Sequence, residues 1–252
     1  MAAAITMMAG CAYLSGLIPR NLKYELTLDP QVPRDRGDIY VDLEDSSFVY
    51  SHEGAFVKVM HLDDDDLDRR IPKLFDGRHV NPYTREDRDP DLRYIPPRFT
   101  VFEVKVINET YAKIEFDPAK TVLTTDSGAM LRYYDPGRAG EGVDPLGGNR
   151  FSEYYKTEIG RSGLDKDLNL ERIGVVYKTA YHRHRPVFRE DERVGYLVFD
   201  PLPEGVASAS LKISAFALRF DADNNPKETV DVEFTFSVDQ TVIEIKPEPT
   251  GI

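Results

Sequence analysis

The chain has no tryptophan, one cysteine and five methionines among 252 residues. A lone cysteine leaves no intramolecular disulfide and no Cys-x-x-Cys pair to hold zinc or an iron–sulfur cluster through thiolates. Positive charge is also scarce: 44 acidic residues against 32 Lys and Arg give a formal net charge of -12. That balance argues against nucleic acid as a partner, because phosphate binding needs local Lys and Arg to displace counterions. The densest basic stretch, Arg183, Arg185 and Arg189 with His182 and His184, runs straight into Glu190, Asp191 and Glu192 and reads as a mixed-charge surface loop. Sequence signatures of catalysis are missing as well. There is no GxSxG elbow and no HExxH, and the Gly-rich run from Gly137 to Gly148 lacks the GK[ST] of a phosphate loop. No catalytic residue and no cofactor is expected.

What the chain does have is aromatic and β-branched residues. Thirteen Phe and fourteen Tyr, within a 41% hydrophobic fraction, supply a sizeable core and favour strands, where flat side chains pack on a pleated surface. Extended segments are predicted over Asp38 to Leu43 and Phe48 to Leu62, followed by a long loop over 63–98 loaded with Asp, Arg and Pro. In the next segment Phe102, Val104 and Val106 oppose Val101, Glu103 and Lys105, the mark of a sheet with one buried face. Short strands follow over Ala112 to Phe116, Val122 to Thr124 and Met130 to Tyr134. A helical insert is predicted over 149–178, with Leu168, Ile173 and Val176 as its apolar stripe and Asp165 or Asp167 as N-cap. Strands resume over Val194 to Phe199, Ala209 to Phe220, Glu228 to Val238 and Thr241 to Ile245. Val230, Val232, Phe234, Phe236 and Val238 alternate without fault with polar residues, so a one-residue slip would bury acids and hydroxyls; the register is fixed.

The cysteine follows an apolar start, MAAAITMMAG, and the order Met8, Ala9, Gly10, Cys11 resembles the lipobox of bacterial lipoproteins. The resemblance implies a diacylglycerol on the Cys11 thiol, with 1–11 the remnant of a signal segment. Ala12 after the cysteine implies outer-membrane sorting, facing the periplasm. Ten residues of helix span about 15 Å, too short to cross a bilayer. The alternative for Cys11 is a small, buried, inert thiol. Pro-punctuated residues 12–38 read as a tether, leaving 39–252 as the folded domain. The strand ending Val104 to Asn108, the segment Gly195 to Pro203 and the strand Ser210 to Ala215 are similar to immunoglobulin-like domains of envelope lipoproteins. That resemblance implies a mainly β fold, an immunoglobulin-like antiparallel β-sandwich with a small helical insertion.

Clustered polar residues invite metal chemistry, and each cluster has a plainer reading. Asp63 to Asp66 with Asp68, and Asp221, Asp223 and Asn225, offer the oxygens that calcium takes. The second set has Pro226 where a helix-loop-helix calcium site needs Gly and Val232 where it needs Glu, so both read as solvated acidic loops. His52, His61, His182 and His184 have no fixed spacing and no Cys partner, and no metal site is expected. Tyr133, Tyr134, Phe151, Tyr154 and Tyr155 flank the Gly-rich run and form a candidate partner patch for a protein or glycan, the alternative being ordinary β core. The sequence thus points to a non-catalytic envelope lipoprotein, membrane-bound through Cys11 and serving in binding or assembly. The alternative is a periplasmic or secreted carbohydrate-processing or enzyme accessory domain using loop carboxylates.

Overall fold

The computed structural model describes residues 22–137, 149–151, 153–155 and 166–245; Cys11 and the segment 138–148 lie outside them. Strands β1 (Leu22–Pro30), β2 (Ile39–Val41), β3 (Phe48–His52), β4 (Ala55–Leu62) and β5 (Thr100–Asn108) come first, with helix α1 (Asp64–Arg70) between the last two. Strands β6 (Lys113–Ile114), β7 (Thr121–Thr125), β8 (Met130–Arg132), β9 (Tyr134–Asp135) and β10 (Asn149–Arg150) precede helix α2 (Lys166–Thr179). Strands β11 (Val187–Phe188), β12 (Asp191–Phe199), β13 (Ser208–Phe220) and β14 (Pro226–Glu244) complete the described chain.

Two five-stranded antiparallel sheets face each other. The terminal sheet has the order β1-β14-β13-β7-β8 and the meander sheet the order β12-β5-β4-β3-β2. Their inner faces share one core, to which β14 gives Val232, Phe234 and Phe236, β5 gives Phe102, Val104 and Val106, and β4 gives Ala55, Val57 and Val59. The alternation in β14 predicts this arrangement: Val232 and Phe234 are fully buried while the intervening Asp231, Glu233 and Thr235 are exposed. The expected β-sandwich is therefore the fold. Its strand order includes a four-strand meander, β2 to β5, whereas the constant-type immunoglobulin arrangement places strands ABED on CFG.

Part of the segment predicted to be a tether is strand. Leu22 to Pro30 pairs with the second half of β14, from Leu22 opposite Glu244 to Pro30 opposite Phe236. Tyr24, Leu26 and Leu28 alternate inward to the core, a period of two interrupted by no proline until Pro30.

The meander sheet is also covered on its outer face, where the sequence predicts solvent. Leu62, Val101, Tyr196 and Val198 point outward into a second core, closed by Leu67 of α1, Val176 of α2, and Tyr83, Phe99, Tyr134, Phe151 and Tyr155. The long charged loop is pinned there as well: Tyr83 Oη and Thr179 Oγ1 are 2.6 Å apart, and Arg172 donates to the His79 carbonyl at 3.0 Å.

The insert meets the sheet at a glycine. A Cβ built on Gly195 would stand 2.6 Å from Tyr181 Cα and 2.7 Å from Tyr181 N, and Tyr181 N–H donates to the Tyr196 carbonyl at 3.0 Å. Only a residue without a side chain lets the chain leaving α2 lie against β12. Gly195→Ala is expected to cost about 1–3 kcal/mol, the usual range for overpacking, read as a lower midpoint in urea unfolding; an unchanged midpoint would contradict the close approach.

Candidate functional site

The residues singled out by sequence fall into distinct places. The candidate partner patch is core, not surface: Tyr133, Tyr134, Phe151 and Tyr155 are buried and Tyr154 is half-buried. Three of the hydroxyls are spoken for, Tyr133 donating to the Tyr181 carbonyl at 2.9 Å, Tyr134 to Asp200 at 2.7 Å and Tyr155 to the Pro82 carbonyl at 2.7 Å, while the Tyr154 hydroxyl meets no partner among the described residues. Large rings with a satisfied polar tip are what a core takes in.

The acidic run caps α1. Asp63 accepts from Asp66 N–H at 2.7 Å, and Asp65 and Asp66 in the first turn place negative charge where it suits the helix dipole. Asp221 accepts the backbone N–H groups of Asp223 and Asn225 at 3.0 and 2.8 Å, which makes it a turn-former. The histidines do not converge: His52 stacks on Tyr50, His61 packs on Phe102, His182 Nε2 meets the Tyr177 carbonyl and His184 is exposed. Among the described residues no group of three or more His, Cys, Asp and Glu is placed to hold a metal ion. Arg183 is bound to Asp117 through two nitrogens, at 2.9 and 3.1 Å.

One polar cluster in the long loop has the residue types of a nucleophilic relay without its geometry. Asp68, His79 and Thr84 lie within hydrogen-bonding distance of one another. A relay imidazole gives one nitrogen to the hydroxyl and the other to the carboxylate. Here Thr84 Oγ1 and Asp68 Oδ1 approach the same nitrogen, His79 Nε2, at 3.0 and 3.3 Å, and the hydroxyl donates to Asp68 at 2.6 Å. The hydroxyl proton is committed to the carboxylate, and with Asn81 also donating to Asp68 at 2.8 Å the cluster fastens the loop. Partial burial pushes Asp68 the other way, yet these hydrogen bonds hold its carboxyl below the usual range.

A cavity with the chemistry to bind something lies elsewhere, at the end of the sandwich formed by the β3–β4 turn, the β5–β6 connection, β11 and the β13–β14 turn. It is an open groove of about 700 Å³, within the roughly 300–1,000 Å³ of ligand clefts. Tyr111 and Leu218 line it as buried residues, and Phe188, 57% exposed, and the half-buried Phe220 line it as well. Lys113 Nζ lies 3.7 Å from the Phe220 ring centroid, and the Arg219 guanidinium 5.7 Å from that of Tyr111. Tyr111 donates to Glu53 at 3.0 Å, which raises its phenol to about 12, burial being the larger cause.

A bulge in β13 makes this groove. Ala209, Leu211 and Ile213 point inward, then the register shifts and Phe216 and Leu218 do, so parity changes across Ser214 and Ala215. Ala215 sits at a φ of 54°, and its N–H is taken by Asp231 at 2.9 Å. Sequence reasoning missed the groove; the signal was the break in alternation between Ile213 and Phe216.

Comparison with protein-family models, with curated proteins and with solved structures finds no match to this chain. No described helix is long and apolar enough to cross a membrane.

Near the opposite end of the sandwich a small polar void separates β1 from the start of α1, beside Lys23, His61 and Asp64. Lys23 pairs with Asp65 at 2.5 Å. Burial keeps Asp64 protonated up to about 7, and keeps His61 neutral down to about 4. Asp64 holds its proton in the folded chain and loses it on unfolding, so its contribution to stability falls as pH rises from 3.8 to about 7. His61 takes up a proton on unfolding, so its contribution rises from about 4 to 6.5. The two oppose each other across their shared range. Asp64→Asn is expected to uncover the histidine alone, with urea-unfolding stability climbing by up to about 1.4 kcal/mol per pH unit between about pH 4.5 and 6; His61→Gln should reverse the slope. A flat profile in Asp64→Asn would contradict a His61 held neutral by its partly buried site.

Proposed function

We propose that this chain is a non-catalytic binding module of the bacterial cell envelope, held at the outer membrane by a lipid on Cys11 and offering its end groove to a partner in the periplasm. The carrying observation is polarity. Leu22, where the described chain begins, pairs with Glu244 at one end of β14, while Pro226 at the other end follows the Asp221–Asn225 turn that walls the groove. The 19 residues of β14 have a contour of about 60 Å at roughly 3.3 Å per residue. An anchor reached through Leu22 would leave the groove facing away from the bilayer, open to a partner.

Recognition suits the groove better than hydrolysis. A glycosidase needs two carboxyl groups free to act on a substrate from opposite sides. Glu53 is engaged by Tyr111 at 3.0 Å and Arg219 at 3.4 Å, and Asp221 by its own turn.

Expressed from the full reading frame in a Gram-negative cell, the protein is expected to incorporate labelled palmitate and to fractionate with membranes. Cys11→Ser should abolish both and release the protein to the soluble periplasm. Wild-type protein that takes up no label would contradict the proposal.

A further inference from the structure

We propose that the groove recognises an acidic oligosaccharide, with sugar faces lying on Phe188 and sugar carboxylates meeting Lys113 and Arg189; this rests on reading the groove as the binding site. Phe188 is directly opposite Lys113 in the β11–β6 pair, and opposed residues of antiparallel strands share a face. Lys113 Nζ in turn lies 3.7 Å from the Phe220 ring centroid.

The charges are unequal in availability. Arg219 is matched by Glu53 at 3.4 Å and Glu228 at 3.2 Å. Lys113 is hydrogen-bonded to the Asn224 side-chain oxygen, and Arg189 donates through Nε to the Thr110 carbonyl at 2.9 Å. Neither Lys113 nor Arg189 stands in an ion pair among the described residues. The groove lining carries Lys113, Arg189 and Arg219 against Glu53 and Asp221, so on a chain of net charge -12 it is not acidic, and Lys113 and Arg189 are the cations available to a ligand. Asp221 also lines the groove, with its carboxylate accepting from Asp223, Asn225 and the Asn225 side chain.

Shape and backbone decide the class of anion. A peptide commonly docks by adding a strand to a free sheet edge. Here β6 pairs with β11, and the residue after it, Glu115, exchanges backbone hydrogen bonds with Ala217 of β13. The Val187 carbonyl accepts from Asn108 and the Thr110 carbonyl from Arg189. What remains for a ligand is side chains: an exposed ring, which takes the apolar face of a pyranose, and cations for carboxylates. Two cations displace too few counterions for a nucleic-acid strand.

The test is titration calorimetry of the full-length chain in detergent with three probes: a galacturonic acid trimer, its neutral methyl ester, and a hexaglutamate peptide. The acidic trimer is expected to bind, with the ester weaker by about tenfold or more, the loss of a charge-assisted hydrogen bond. Lys113→Met and Arg189→Met should each weaken the acidic trimer by about tenfold and leave the ester unchanged. Phe188→Ala should weaken both saccharides, and matched thermal melting of the variants shows that they fold. Equal affinity for trimer and ester, preference for the peptide, or no binding of any probe each overturns the proposed ligand. Binding of any probe that all three variants leave intact overturns the groove as the binding site as well.

Discussion

The meander sheet is buried on both faces over only part of its area, and much of the molecule follows from that. In β12 the residues Gly195 to Phe199 are all buried, whereas Asp191, Glu192 and Val194 are exposed. In β5 the change is similar, with Thr100, Val101 and Phe102 buried before Glu103 and Lys105 become half-exposed. The insert and long loop cover the half of the sheet nearer the Leu22 end. The uncovered half leads to the end where the groove opens, so one boundary divides a covered face from an exposed one.

That cover is held by matched polar groups as well as by rings. Asp68 gathers three side-chain donors, and the Tyr83, Tyr134 and Tyr155 hydroxyls each meet an oxygen of a different segment. Buried polar groups specify a packing because an unmet one is costly. A loop as charged as 63–98 can therefore lie against a core, with Val80, Asn81, Tyr83 and Thr84 buried and most of its Asp and Arg residues at the rim. At the groove end Lys113 and Arg189 are hydrogen-bonded to the Asn224 side-chain oxygen and the Thr110 carbonyl and have no carboxylate partner among the described residues.

Local periodicity made half of this readable. The alternation of β14 and the inner face of β5 are properties of a few consecutive residues, and they set the sandwich. Strand β1 carries the same period in Tyr24, Leu26 and Leu28, yet the prolines at Pro19, Pro30 and Pro33 gave the segment the look of a tether. The fate of the aromatic cluster is not local: whether Phe151 and Tyr155 meet water or protein depends on Gly195 admitting Tyr181 and on Val198 and Val101 pointing outward. The groove was hidden for a related reason. A bulge held by Asp231, 16 positions away, redirects the end of β13; the break in alternation between Ile213 and Phe216 marks the bulge but not the segments that the redirected end meets.

The aromatic cluster seals part of the outer face of the meander sheet. Phe151, fully buried against the rings of Phe99 and Tyr134, is its most direct probe. Equilibrium urea unfolding of Phe151→Ala should show a loss of about 3–5 kcal/mol, as for other buried phenylalanines. A change within about 0.5 kcal/mol, the range of a surface substitution, would mean that these rings face solvent and that the second core does not exist.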